Sequence, residues 1–112
     1  MEVFDQLTQV LEERRTADPA SSYVASLYAA GLDHILKKIA EEAGEVLLAA
    51  KNVESPARDA ALIGEVADLW FHTLVMLVHL GQRPVWVLDE LAGRFGVSGH
   101  VEKAGRTTSQ NE

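Results

Sequence analysis

The helical character of this chain is plainest in residues 38–51, which read KIAEEAGEVLLAAK. In this stretch and just before it, apolar residues recur at intervals of three and four, as they do on the buried face of an α-helix. These positions are Leu32, Ile35, Leu36, Ile39, Ala43, Val46, Leu47 and Ala50. The pattern predicts one long helix over residues 23–51, which Gly31 bends or splits in two.

Three further helices are predicted on either side of this segment. Apolar spacing indicates a helix over residues 3–14, another over 56–80 that opens at the pair Ser55-Pro56, and a last one over 85–95. Proline is favoured at the first turn of a helix, where its missing N–H costs nothing. The middle helix of these three is apolar on most sides, so we expect it to be surrounded by protein.

The predicted fold class is therefore all-α, a helical bundle of four to five helices, because no alternating strand pattern competes with the helical spacing. The 112 residues are expected to form a single domain, 1–112, with about 104–112 as a flexible polar tail. A domain of this size has a modest core, so self-association is a natural way to bury more apolar surface.

Composition excludes several classes of function. The formal net charge is −7, which argues against nucleic acid or an anionic membrane as the main partner. The chain contains no cysteine, so disulfides, thiolate zinc sites and cysteine nucleophiles are excluded. The most apolar stretch, residues 69–80, contains two histidines and is too short to span a bilayer. No secretory signal is visible, and a cytoplasmic location is expected.

Five carboxylates lie on helices that are otherwise apolar. Glu41, Glu42 and Glu45 share one edge of the long helix, and Glu65 and Asp68 follow within the next helix. Two antiparallel helices would bring both sets to one level of the bundle. Like charges at this spacing destabilise a helix unless a cation offsets them. Mg²⁺ prefers oxygen ligands of this kind, whereas zinc and copper fit the donor set less well. The five residues are therefore a candidate magnesium site.

The same acidic pattern is also typical of a solvated helix face. Lys37, Lys38 and Lys51 are near enough along the chain to pair with the glutamates. His72 follows Asp68 by four residues and is a candidate ligand for metal or substrate, although a lone histidine on an apolar helix is more often a hydrogen-bonded core residue. Spacing alone leaves the metal site and the solvated face both open.

The arrangement Glu-Glu-x-x-Glu followed by Glu-x-x-Asp resembles the signature of the MazG-like all-α nucleotide pyrophosphohydrolases. Over residues 4–103 the sequence further resembles the phosphoribosyl-ATP pyrophosphohydrolase family of histidine biosynthesis. The segments that carry this resemblance are Ser22-Tyr23, Leu27-Tyr28, Gly31-Leu32, residues 38–42, 49–51 and 65–69, His72, and the ending at 98–103.

This resemblance implies a MazG-like homodimer that hydrolyses phosphoribosyl-ATP to phosphoribosyl-AMP and pyrophosphate, with Mg²⁺ as cofactor and Mn²⁺ as a substitute. It implies four metal ligands, Glu42, Glu45, Glu65 and Asp68, and leaves Glu41 as the candidate base or water-orienting residue. Lys38, Lys51 and His72 are the candidate substrate contacts. Two competing hypotheses stay open: a house-cleaning hydrolase of noncanonical nucleoside triphosphates, and a helical interaction module without enzymatic activity.

Overall fold

The computed structural model describes residues 2–96, and within that range every regular element is a helix. Helix α1 (Glu2–Glu13) continues into a 3₁₀ turn (Arg14–Thr16), and α2 (Tyr23–Ala30), α3 (Leu32–Lys51), α4 (Ala60–His79) and α5 (Val85–Phe95) follow. The all-α prediction is confirmed. The predicted tail at 104–112 and the ending at 98–103 lie outside the described residues.

Gly31 splits the long helix completely into α2 and α3. Its φ of 99° and ψ of 175° lie in a region that essentially only glycine adopts. The Gly31 N–H donates to the Leu27 carbonyl, and the Gly31 carbonyl accepts from the Ile35 N–H, both at 3.2 Å. One residue therefore ends the first helix and begins the second.

The predicted start of the third helix at Ser55-Pro56 is wrong. Helix α4 begins at Ala60, where the Asp59 side chain accepts a hydrogen bond from the Leu62 N–H at 2.9 Å. Ser55 instead accepts from the Ala57 N–H at 3.1 Å. The Ser55 bond closes only a local turn, because the residues after it are not helical until Ala60, where Asp59 caps α4.

The core lies between the first four helices. Its buried apolar side chains are Leu11, Val24, Leu27, Ile35, Leu74, Val75 and Val78. Helices α3 and α4, joined by residues 52–59, pack against each other as a hairpin, and α1 and α2 also pack against α4. All buried residues of α4 lie in its second half, from His72 onward. The first half of α4 is therefore left open on the sides away from α3.

The sequence predicts that the helix now labelled α4 is surrounded by protein, but in the single chain part of its apolar surface is exposed. Trp70 on α4 is 67% exposed and Ile63 is 47% exposed, and Leu47 on α3 is 68% exposed. By length and composition alone, α4 could cross a membrane (mean hydropathy 1.6), although core helices of soluble proteins pass the same test. The apolar stretch at residues 69–80 covers only part of this helix, which is why that stretch alone is too short to span a bilayer. Within residues 2–96, nothing covers this apolar surface.

A half-buried tyrosine joins α1 to α2, and removal of its hydroxyl provides a test of the packing. The Tyr28 hydroxyl donates to the Leu11 carbonyl at 3.0 Å, one of the carbonyls near the end of α1 that lack a partner within the helix. Burial raises the pKa of Tyr28 to about 12. We expect Tyr28→Phe to lower the free energy of unfolding by about 1 kcal/mol, measured by urea denaturation.

The control for this prediction is Thr16→Ala. The Thr16 hydroxyl makes a longer bond, at 3.5 Å, to the Glu13 carbonyl and is exposed, so its loss should cost much less. Equal costs for the two variants would show that the Tyr28 bond does not stabilise the α1–α2 contact.

Candidate active site

Three carboxylates from two helices converge where α3 and α4 face each other. Oxygen atoms of Glu42 on α3 and of Glu65 and Asp68 on α4 lie within 4.8 Å of one another. Glu42 and Glu65 are half-buried, whereas Asp68 is exposed. The hairpin thus brings acidic residues far apart in sequence to one level of the bundle. We call Glu42, Glu65 and Asp68 the acidic cluster.

Glu45 lies beside the acidic cluster rather than within it. It is exposed on α3, one turn beyond Glu42. Its charge nevertheless acts on Glu65, because burial first, and then the neighbouring charges of Glu45, Asp68 and Glu42, raise the pKa of the Glu65 carboxyl. Four carboxylates therefore share one electrostatic environment, and Glu65 is at its centre.

Lysine pairing accounts for only part of this charge. The Lys38 Nζ lies 3.4 Å from a Glu41 oxygen and 3.8 Å from a Glu42 oxygen. Among residues 2–96, Glu45, Glu65 and Asp68 make no ion pair within 4.0 Å. A solvated, lysine-paired face therefore explains the first two glutamates of α3 but not the other carboxylates. Converging oxygen donors without a thiolate fit a hard divalent cation such as Mg²⁺.

Residues 4–95 match the family model described as phosphoribosyl-ATP pyrophosphohydrolase. The chain belongs to this family. It is accordingly a phosphoribosyl-ATP diphosphatase, a hydrolase that acts on phosphoanhydrides in histidine biosynthesis. The match begins inside α1, at Phe4, and covers the rest of the described helices and every residue of the acidic cluster. The family is a metal-dependent pyrophosphohydrolase type, which agrees with the donor set between α3 and α4.

The remaining predicted site residues lie at different distances from the acidic cluster. Glu41 is exposed and is linked to Glu42 through Lys38. Lys51 is the last residue of α3, nine residues beyond Glu42 and thus about 13 Å along the helix axis. The α3–α4 hairpin therefore groups Glu41 and Lys38 with the acidic cluster of this diphosphatase and leaves Lys51 at the far end.

His72 is buried, at 4% exposure, and both of its ring nitrogens have partners. Its Nδ1 lies 2.7 Å from the Asp68 carbonyl oxygen, and its Nε2 lies 2.8 Å from the Tyr23 hydroxyl oxygen. A carbonyl only accepts, so Nδ1 carries the proton and, in the neutral ring, Nε2 accepts from the Tyr23 hydroxyl. This geometry favours a role for His72 in holding Tyr23 over a role in contacting the substrate directly.

Sequence reasoning missed Tyr23, which it treated only as the start of a helix. Tyr23 and His72 are 49 positions apart, and no spacing rule connects residues at that separation. The nearest signal was the pair Ser22-Tyr23 at the head of α2. Ser22 does cap that helix, since its hydroxyl accepts from the Ala25 N–H at 3.1 Å.

The acidic cluster lies on an open side of the hairpin. Two clefts, of about 410 and 370 Å³, lie beside α5. Neither is lined by a residue of the acidic cluster, by Lys38 or by Tyr23. Asp68 is exposed and Glu42 and Glu65 are half-buried, so solvent reaches the carboxylates at the α3–α4 hairpin.

The raised pKa of Glu65 predicts how the metal-free protein responds to pH. Because the folded state favours the protonated carboxyl, the stability this group contributes is fully present below its ordinary pKa of 4.5 and is lost as the pH rises through the raised value. We expect the melting temperature in EDTA to fall over this range by more in the wild type than in Glu65→Gln. Circular dichroism melts at a series of pH values check this, and parallel curves for the two proteins would contradict it.

Proposed function

We propose that this enzyme hydrolyses phosphoribosyl-ATP to phosphoribosyl-AMP and pyrophosphate at the acidic cluster, with Mg²⁺ as its cofactor and Mn²⁺ as a substitute. The convergence of Glu42, Glu65 and Asp68 within 4.8 Å is the observation that carries the proposal. In a family that cleaves a phosphoanhydride, a site for a divalent cation is expected where such carboxylates meet.

Glu42, Glu65 and Asp68 would hold the ion, and Glu45 would join them from the next turn of α3. Bound there, Mg²⁺ would neutralise charge on the phosphate oxygens and lower the pKa of a nearby water. Burial and, after it, repulsion from Glu45, Asp68 and Glu42 raise the pKa of Glu65, and a divalent cation would remove that repulsion.

Glu41 and Lys38 would act on the flank of the acidic cluster. Glu41 is exposed, with 48% of its side chain accessible, and is proposed to orient or deprotonate the attacking water. Lys38 would exchange its present carboxylate partners for phosphate oxygens once the cation binds, as a compact positive charge suited to that contact. Lys51 is retained as a contact for a distal part of the substrate, because it lies too far along α3 to reach the acidic cluster.

A homodimer is proposed from the uncovered apolar surface of the hairpin. Leu36 and Leu47 on α3 and Ile63 and Trp70 on α4 are each more than one-third exposed, and each pair lies along a single stripe of its helix. A stripe of this kind on two adjacent helices is typical of a surface covered by another subunit. We name these four residues the hairpin face and propose that a second copy of the chain covers it.

The enzyme is proposed to act in the cytoplasm on a small-molecule substrate, without a nucleic-acid or membrane partner. The net charge of −7 disfavours both polyanionic surfaces. In α4, the apolar helix, Glu65 and Asp68 belong to the acidic cluster and His72 bonds to Tyr23, which suits a helix of a water-soluble enzyme.

The test of this function is pyrophosphate release from phosphoribosyl-ATP. We expect release with Mg²⁺, release with Mn²⁺ and none in EDTA. A parallel set of canonical and noncanonical deoxynucleoside triphosphates serves as the control for substrate choice. Release from that set with none from phosphoribosyl-ATP would overturn the proposal in favour of a house-cleaning hydrolase.

A further inference from the structure

One aromatic side chain of α2 is fixed in place beside the acidic cluster yet remains open to solvent. The Tyr23 ring stacks on Phe71 with centroids 6.2 Å apart and an interplanar angle of 21°. Its hydroxyl bonds to the buried His72 at 2.8 Å. Tyr23 is nevertheless 54% exposed. The accessible part of the ring, which we call its open face, is the part that neither Phe71 nor His72 contacts.

Phe71 and His72 both contact the Tyr23 ring, and His72 is itself held in place by further contacts. His72 packs edge-on against both rings, with centroids 5.9 Å from Tyr23 and 5.0 Å from Phe71. Its Nδ1 bond to the Asp68 carbonyl fixes the orientation of the imidazole on α4. Ordering an exposed side chain costs conformational entropy, and the contacts with Phe71 and His72 offset that cost for Tyr23.

Tyr23 and Lys38 are each linked to a member of the acidic cluster. Tyr23 bonds to His72, and His72 bonds to the backbone of Asp68, one of the three residues of the acidic cluster. The Lys38 ammonium in turn lies 3.8 Å from Glu42. An exposed aromatic ring on α2 and a lysine on α3 are thus both linked to the same set of carboxylates.

These three kinds of group match the three parts of a nucleoside polyphosphate bound with its cation. A planar base stacks on an aromatic ring, a lysine contacts phosphate oxygens, and carboxylates hold the cation that binds the terminal phosphates. We propose that Tyr23 is a substrate-binding residue whose open face stacks on the purine ring of the substrate, and that His72 is a positioning residue acting through Tyr23. The inference rests on the proposed function, since it places a base beside the same acidic cluster.

Two triphosphate ligands, one with a purine nucleoside and one without, provide the test. α,β-Methylene-ATP carries a base and a triphosphate chain that cannot be cleaved at its α–β bridge, and inorganic triphosphate has the chain alone. Binding of each is measured by titration calorimetry with Mg²⁺. We expect Tyr23→Leu to weaken the nucleotide by about 10- to 100-fold, the usual range for loss of one stacked base, and to leave inorganic triphosphate unchanged.

Three variants separate stacking from a structural role. Tyr23→Trp keeps an aromatic face and is expected to keep the preference for the nucleotide. Tyr23→Phe keeps the ring but loses the bond to His72, so an intermediate loss confined to the nucleotide is expected. Trp86→Leu removes another exposed aromatic ring, 48% accessible on α5, and is expected to change neither affinity. Circular dichroism verifies the helical content of each protein.

The inference is overturned if Tyr23→Leu weakens both ligands equally or neither. It is also overturned if that variant changes only the sedimentation coefficient, because a second copy would then cover the open face. These results are distinct from failure of the proposed function. If the wild type releases pyrophosphate from phosphoribosyl-ATP while Tyr23→Leu keeps its affinity for the nucleotide, only the assignment of Tyr23 falls. If the wild type releases none, both fall.

Discussion

Replacing Glu65 with glutamine is expected to lower the rate of Mg²⁺-dependent pyrophosphate release by at least about 100-fold, since even residues that only support metal ligands commonly cost 10- to 100-fold. The amide preserves the shape of the side chain and removes the charge at the centre of the four carboxylates. The same change removes a charge that burial and the neighbouring carboxylates both disfavour, so the metal-free variant should unfold at a higher temperature than the wild type at neutral pH.

Opposite effects on activity and on stability distinguish a lost metal site from a damaged fold. Asp68→Asn is expected to reduce activity similarly, because Asp68 belongs to the same group of oxygen donors. Glu54→Gln, an exposed glutamate in the connection between α3 and α4, is the matched control and should retain full activity. The measurements are pyrophosphate release, calorimetric titration with Mg²⁺ in the presence of a triphosphate, and thermal melts in EDTA. Wild-type activity in either cluster variant would exclude these residues as ligands.

The second large effect is expected at the hairpin face. Trp70 is 67% exposed in the single chain, and a subunit that covers it would bury a large apolar surface. Trp70→Glu would place a carboxylate from each subunit in that apolar contact. An unpaired buried charge costs several kcal/mol, so the dissociation constant of the dimer should rise by at least about 100-fold.

Sedimentation velocity at micromolar concentration measures this effect. The wild type is expected to sediment as a dimer and Trp70→Glu as a monomer with unchanged helical content. Trp86→Glu introduces the same charge at another exposed tryptophan, on α5 and away from the hairpin face, and should remain a dimer. A wild type that stays monomeric at these concentrations would contradict the proposed dimer.

Local chemistry made most of the helices predictable from the sequence. The interval of three and four on residues 32–50 identified α3, and Pro84 and Gly96 marked α5 within one residue of its observed ends. The start of α4 was predicted wrongly because Ser55-Pro56 and Asp59 offer competing caps, and only the backbone geometry decides between them. The exposure of Trp70 was not predictable, since apolar spacing shows that a face is to be covered but not by which chain.

The candidate site was predictable where it depends on the pitch of a helix and not where it depends on packing between helices. Spacing grouped Glu42 with Glu45 and Glu65 with Asp68, and the hairpin then joined the two sets. The bond from Tyr23 to His72 comes from the way α2 rests on α4, for which the sequence carries no periodic signal. Lys51 shares a helix with Glu42, yet the length of α3 separates the two.

Gly31 connects the helix that carries Tyr23 to the helix that carries Lys38. Its backbone conformation at this connection is one that depends on the chirality of the residue. An added Cβ at this position would meet no atom within 4 Å, so crowding does not exclude a side chain. The positive φ does, because L-amino acids are strained there and D-amino acids are not. A D-alanine would therefore fit where L-alanine does not. The left-handed backbone of Gly31 thus sets the angle between α2, which carries Tyr23, and α3, which carries Lys38.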